Sequence, residues 1–236
     1  MMKEIRNPAG TKLDWAFEYE EVAGIKFKTD PYNRVIRKRI NSYYTKEPNT
    51  LKWLDKMQPN ETLVDIGANI GVYSLYAAKK GVNVKAFEPH AQNFSELNTN
   101  IWLNDLDQYV RAYPVALLDK PFSPTYSVLS ILSPVPGQSH NNVGTHGEFK
   151  QGTVVYDLDS FDFEPDYIKL DVDGLEDLVI KGMINTLNSV KSILIEVTNK
   201  DTLKPLLDLG YEIDDSMTYK LSETETNYVC NSRNIK

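Results

Sequence analysis

Residues 65–71 read Asp65-Ile66-Gly67-Ala68-Asn69-Ile70-Gly71 and separate two runs of different period. Before them, TLVDI (62–66) is short, apolar and β-branched, the pattern of a buried strand; after them, VYSLYAAKK (72–80) has the spacing of a helix. Glycines at such a junction let the backbone turn sharply and approach a ligand, and the helix start offers free N–H groups. Neither of two common phosphate loops fits. The G-x-G-x-x-G pattern needs glycine at 69 and 72, where Asn69 and Val72 stand, and no Gly-Lys-Ser/Thr follows.

The alternation continues down the chain. VNVKAFE (82–88) predicts a second strand; Phe94, Leu97 and Ile101 recur at helical spacing, and YVRAYPVAL (109–117) predicts a third strand. Later come TVVYDL (153–158), the buried strand YIKLD (167–171), a helix face at Leu175, Leu178, Val179 and Met183, and the strand VKSILIEV (190–197). A short helix is expected at about 201–208, and terminal strands near 211–214 and 226–230. Strands alternating with helices imply an α/β fold with a doubly wound, mostly parallel sheet. Residues 1–60 are expected to form an N-terminal lobe with lead-in helices, and 61–236 the main domain. Residues 119–152 hold four of the twelve prolines and two of the three histidines, so a long loop or irregular insertion is expected there, a candidate lid over a substrate.

Composition narrows the field. Lys plus Arg number 26 against 33 Asp plus Glu, a formal charge of -7, which disfavours a broad grip on nucleic acid or an anionic membrane. The dense basic cluster Arg34, Arg37, Lys38 and Arg39 is either a solvated helix face or a site for an anionic group on an acceptor. Cys230 is the single cysteine, which excludes an internal disulfide and a multi-cysteine zinc site. No apolar run approaches the roughly 20 residues that span a bilayer, and the start lacks the apolar stretch of a signal peptide; a cytoplasmic protein is expected.

Glu88 ends the second strand about 20 residues after Gly67, the spacing at which a carboxylate reaches both hydroxyls of a ribose. A nucleoside is implied whose attached group need not be a pyrophosphate. Asp171 ends an apolar strand expected beside the first one, where ligands bind in open α/β sheets; it is a candidate to position an acceptor hydroxyl, take its proton or hold a metal. Asp173 and Glu176 have the spacing of a capping box, which competes with a catalytic role for Asp173. Asp171 and Asp173, with Glu196 or Asp159 as a third ligand, make a divalent metal a minority reading. His140 and His146, in the insertion, are candidate bases, whereas His90 is expected at the surface or against a cofactor.

VDIGANIGVYSL (64–75), AFEPH (86–90) with Asn93, Leu97 and Asn100, IKLDVDGLEDLVIKG (168–182) and ILIEV (193–197) together resemble the FkbM family of S-adenosylmethionine-dependent methyltransferases, over roughly residues 45 to 230. The resemblance implies a class I methyltransferase (Rossmann-like) fold with a seven-stranded sheet, S-adenosylmethionine as cofactor, and methyl transfer to an oxygen, commonly a hydroxyl of a sugar or polyketide. Carried onto this chain, it sets Asp65, Gly67, Ala68, Asn69 and Gly71 around the methionine part, Glu88 on the ribose, Pro89 and Asn93 beside it, and Val115 and Ala116 by the adenine. Tyr44, Glu47 and Pro48 resemble an element the family has before its first strand, which adds Glu47; Asp171 joins both the cofactor and catalytic sets. Where the family usually shows Asp-x-Glu-Gly, this chain has Asp171-Val172-Asp173-Gly174, with a shorter acid. The alternatives are an NAD(P)-dependent oxidoreductase and an inactive homologue. Base methylation of nucleic acid is disfavoured, because the Asn/Asp-Pro-Pro-Tyr/Phe position reads LDVDG. A small-molecule or carbohydrate acceptor is expected, and an anionic one fits the basic cluster.

Overall fold

The computed structural model describes residues 5–6, 12–13, 18–119, 125–131, 133, 135–139, 142–143 and 149–233. Seven strands form the path of the main sheet: β1 (Thr62–Ile66), β2 (Asn83–Phe87), β3 (Val110–Tyr113), β4 (Tyr167–Leu170), β5 (Ser192–Val197), β6 (Tyr211–Ile213) and β7 (Thr226–Ser232). Their order is β3-β2-β1-β4-β5-β7-β6, and Tyr219–Lys220 adds a short eighth strand against the start of β7. β3 through β5 run parallel, while β7 is antiparallel to both its neighbours. This is the expected mostly parallel class I methyltransferase sheet.

Among the described residues the helices are α1 (Arg34–Asn41), α2 (Pro48–Leu54), α3 (Val72–Lys79), α4 (Ala91–Leu103), α5 (Glu176–Lys181) and α6 (Lys204–Asp208). Alternate residues of β1 serve opposite faces, as the pleat requires. Leu63 packs in one core with Leu75, Ala77 and Leu97 of α3 and α4; Val64 and Ile66 pack in another with Val179 of α5 and Leu206 of α6. The strand order reverses between β1 and β4, so the carboxyl ends of these two strands open onto the crevice where such sheets bind ligands.

The N-terminal part differs from a purely helical lead-in. A hairpin, Tyr19–Val22 paired with Ile25–Lys28, turns at Ala23 and Gly24, both at positive φ, as tight hairpins demand. Its inner strand, Ile25–Lys28, is closed by helix side chains in place of another strand. Asn104 accepts from Lys26 N–H at 2.8 Å and donates to Lys26 C=O at 2.7 Å, and Asn100 accepts from Lys28 N–H at 2.8 Å. Ile25, Phe27, Ile36, Ile40 and Trp53 lie in the same core as α3.

The expected third strand is two strands. Pro114 lacks an N–H and breaks the ladder, so Val110–Tyr113 stays in the main sheet while Val115–Leu117 joins a second one. That second sheet has the order 142–143, Thr125–Ile131, Phe149–Tyr156, Val115–Leu117. The region expected to be a loop therefore carries strands: residues 125–131 pair antiparallel with 149–155 on one side and 142–143 on the other, and Val154–Tyr156 run parallel to Val115–Leu117.

Candidate active site

Gly67 and Gly71 shape the turn after β1, each for its own reason. Gly67 has φ +84°, and a Cβ there would lie 1.8 Å from the Asp171 carbonyl oxygen, so only glycine lets the loop close against the end of β4. Gly71, at φ +90°, caps α3, and its Cβ would meet Leu97 Cδ1 at 2.5 Å; it serves helix packing. The N–H groups of Gly67 and Ala68 both donate to Phe87 C=O at 3.0 Å, tying the loop to β2.

Glu88 stands at the end of β2, buried, with one oxygen accepting from Asn69 N–H and the other from His90 N–H, each at 2.8 Å. Burial pushes its carboxyl up to about 7, against the pull of these hydrogen bonds. His90 departs from its expected place: it is fully buried and caps α4, its Nδ1 accepting from Asn93 N–H at 3.3 Å. Burial lowers its pKa, favouring the neutral ring.

A cleft of about 270 Å³ opens at this edge of the sheet. Gly67, Asn69, Glu88, Pro89, Asn93, Val115 and Ala116, all expected on the cofactor side, line it, as do Asp171 and Asp173. Arg39 of the basic cluster lines it too; Lys46, Gln138 and Glu225, which also line it, carry no sequence signal, and Glu196 stood out only as a spare metal ligand. A recess of about 40 Å³ shares Arg39, Lys46, Gly67, Asn69 and Asp171 with the cleft and adds Glu47, Asp65, Ala68, Tyr73 and Lys169. Gly71 lines neither.

Around the recess lies a buried charge network. Lys169 is 2% exposed, with Nζ 3.1 Å from Asp171 Oδ2 and 5.2 Å from the centre of the Tyr73 ring. Its ladder partner on β1 is Asp65, which accepts from Ser74 Oγ at 2.5 Å with one oxygen while the other has no hydrogen-bond partner. Burial raises the Asp65 pKa. Glu47, also buried, pairs with Lys46 at 2.9 Å and accepts from Thr50 Oγ1 and Asn227 Nδ2. Burial would raise Asp171 as well, but Lys169 and Lys46 outweigh it and hold this carboxyl below its usual range. At the end of β5, burial and then the Asp171 charge push Glu196 up to about 8.

Residues 135–139 of the insertion cross the cleft as a strap. Asn69 Nδ2 and Asn93 Nδ2 donate to Gln138 C=O at 2.9 and 3.0 Å, and Gly137 N–H donates to Asn93 Oδ1 at 2.7 Å. From α1, Asn33 Nδ2 donates to Pro136 C=O at 3.0 Å and Arg39 Nε to Gly137 C=O. The side-chain amides of Asn69 and Asn93 are thus engaged with the strap. From the second sheet, Gln151 takes the Ala91 N–H and donates to Pro89 C=O, fixing the turn after Glu88.

Other expectations need correction. The basic cluster is divided by helical geometry: Arg39 lines the cleft, whereas Arg34, Arg37 and Lys38 border a separate, open depression. Asp173 does not cap α5, whose first turn starts at Glu176 after Leu175; Asp173 sits at φ 55° on the cleft wall. Glu176 does reach back, accepting from Val172 and Gly174 N–H. Asp159 is spent on capping a turn, accepting from Asn185 N–H and from Thr186 N–H and Oγ1, so it is unavailable as a third metal ligand. Tyr44 is exposed, edge-on to Tyr43. His140 and His146 lie outside the described residues. Among the described residues no three His, Cys, Asp or Glu side chains gather as a metal-binding group, and no helix is long and apolar enough to cross a membrane.

Comparison with known proteins decides the family. A model described as the methyltransferase FkbM domain matches residues 65–221. The chain belongs to this family. In fold, this FkbM-family chain is similar to magnesium protoporphyrin IX methyltransferase (ChlM) from Synechocystis PCC 6803 with bound SAM, at a TM-score of 0.55, 13% identity and 86% of each chain covered. It is also similar to precorrin-6y C5,15-methyltransferase from Geobacter metallireducens GS-15, at a TM-score of 0.50 and 15% identity, over 87% of this chain and 92% of that one. Among curated proteins it is 29% identical over 147 residues to the hexuronic acid methyltransferase AglP of Haloferax volcanii, and 30% identical over 95 residues to a tRNA (uracil(54)-C(5))-methyltransferase of Pyrococcus furiosus. The matches cover 59% of the first relative's length and 22% of the second's.

Proposed function

We propose that this chain transfers a methyl group from S-adenosylmethionine to a hydroxyl oxygen of a small carbohydrate acceptor. The observation that carries the reading is Glu88, a carboxylate at the lip of the cleft, beside the Gly67 turn and facing the strand edge where a nucleoside lies in such sheets. The residues fit the cofactor in kind. Glu88 suits a pair of ribose hydroxyls, and Val115, Leu117 and Leu129 give an apolar wall for a flat base. The recess sets carboxylates (Glu47, Asp65) against cations (Arg39, Lys46), which suits an amino-acid zwitterion, and one Asp65 oxygen lacks a donor. When bound, the cofactor supplies a methyl group on a sulfonium, open to in-line attack by an oxygen.

The chain's own residues align the partners and shape a site in which orientation contributes up to roughly 7–11 kcal/mol of barrier lowering. Among the acidic groups of the cleft, Asp171 and Glu196, at the ends of neighbouring strands, are the pair this reading offers to an acceptor hydroxyl. A sugar acceptor is supported by the hexuronic acid methyltransferase relative, and an anionic one by Arg39 and Lys46 in the cleft wall. The strap and α1 shape the acceptor side in this reading. Labelled-methyl transfer to a panel of free sugars, uronic acids, nucleotide sugars and lipid-linked glycans, with and without Mg²⁺ and a chelator, tests it. Label on a uronic acid or another sugar is expected; turnover with NADH-linked chemistry and no methyl transfer would contradict it.

A further inference from the structure

We propose that Glu196, rather than Asp171, accepts the proton that the acceptor hydroxyl gives up as its oxygen is methylated; this rests on the methyl-transfer reading above. β4 and β5 are parallel and in register with Leu170 opposite Ile195. The next residues, Asp171 and Glu196, therefore leave neighbouring strands side by side and on the same face, and both line the cleft.

Their surroundings divide their roles. Asp171 is held: Lys169, itself buried and seated against the Tyr73 ring, contacts Oδ2 at 3.1 Å, and Lys46 and Arg39 add positive charge from the cleft wall. A carboxylate so compensated is a weak base and a good fixed anion. Glu196 is half-buried, and among the described residues no hydrogen bond reaches its carboxyl. The charged groups facing it are Lys169 of β4 and Asp171 just after it, Lys46 and Glu47 from the segment before α2, and, lining the same cleft, Arg39 from α1 and Glu225 just before the neighbouring strand β7. Burial first, then the Asp171 charge, make Glu196 the more basic of the two carboxyls, with Lys169 and Lys46 pulling the other way. Two carboxyls whose environments push their proton affinities apart take different parts in acid–base chemistry. In the balanced step the acceptor's O–H bond breaks and its proton goes to Glu196. The oxygen's electron pair forms the new O–CH₃ bond, and the C–S pair leaves on sulfur as a neutral thioether. Glu196 then returns the proton to solvent.

The test needs no acceptor. S-adenosylmethionine and S-adenosylhomocysteine share their nucleoside and amino-acid ends and differ in the sulfonium charge. Calorimetric titrations at pH 7, in buffers of different ionisation enthalpy, count the protons released on binding each. A cation bound beside a protonated Glu196 drives its proton off, so S-adenosylmethionine is expected to release roughly half a proton or more beyond S-adenosylhomocysteine, and the difference is expected to vanish in Glu196→Gln. Equal release by the two ligands, or a difference that persists in Glu196→Gln, overturns the assignment and leaves the methyl-transfer reading standing. Binding of neither ligand overturns that reading itself. On any acceptor found by the panel, Glu196→Gln is expected to lower kcat by about 10²–10⁴-fold while the KM for cofactor rises by only a few fold, and Glu196→Asp to retain part of the activity. Turnover of Glu196→Gln within twofold of the parent protein overturns the proposal.

Discussion

Glu88 Oε2 accepts the Asn69 N–H at 2.8 Å while Oε1 accepts the His90 N–H at the same distance, so one side chain pins the glycine loop to the start of α4. Replacing it leaves two N–H donors in a buried corner without their acceptor. Glu88→Ala is expected to cost roughly 2–4 kcal/mol of stability and to weaken cofactor binding at least tenfold, measured by urea unfolding and by calorimetry. Full cofactor affinity in a folded Glu88→Ala variant would show that Glu88 is structural alone.

The loop makes a second demand at Gly67. Gly67→Ala drives a methyl group into the Asp171 carbonyl at positive φ, and a loss of at least about 3 kcal/mol or outright misfolding is expected. Gly152→Ala, where a Cβ meets nothing within 4 Å, is expected to stay within about 0.5 kcal/mol. Thermal unfolding of the two variants side by side checks the contrast.

Lys169 is buried between anions, so its removal is expected to destabilise more than its loss of packing explains. Lys169→Met leaves Asp171 and Asp65 without their shared cation, a cost of about 3–5 kcal/mol, and Lys169→Met with Asp171→Asn is expected to recover part of it. Asp171→Ala is expected to lower turnover sharply while cofactor binding survives in part. Turnover unchanged in that variant would contradict any place for Asp171 in the reaction.

Stability has a definite pH direction. Burial raises Glu88 to about 7 and Glu196 to about 8, above the ordinary glutamate value of 4.5. Through that window the folded chain keeps protons that the unfolded chain has lost, so stability falls as pH rises. Buried neutral His90 acts in the opposite sense, but only below its ordinary value of 6.5. The melting temperature is therefore expected to drop by a few degrees between pH 6.5 and 8, and to drop less in Glu196→Gln. An equal drop in the two proteins would show that Glu196 does not carry the effect.

Most residues expected on the cofactor side converge on one cleft, and they could be picked from the sequence because their signals are local. A glycine at positive φ, a strand end and a fixed spacing to Glu88 need only neighbouring elements to be read. Lys46 and Gln138 reach the cleft from separate segments, and no spacing announces that; the basic cluster was visible, but not that Arg39 alone of its four members lines the cleft. Glu196 had a usable signal, an acid closing the most apolar strand in the chain, the same argument that singled out Asp171. Prolines and polar residues hid the strands of the insertion, although TYSVLSI (125–131) alternates as a strand does. Positive φ at Asp173 and Gly174 delayed the start of α5 and undid the expected cap. YIKL passed for an apolar strand, so the buried cation at Lys169, which organises the recess, was overlooked.

The most direct measurement is a calorimetric titration of the purified chain with S-adenosylmethionine and, separately, with NADH. Saturable binding of one S-adenosylmethionine per chain, weakened at least tenfold in Glu88→Ala, is expected, with no binding of NADH. Saturable NADH binding with none for S-adenosylmethionine would contradict the methyl-transfer reading.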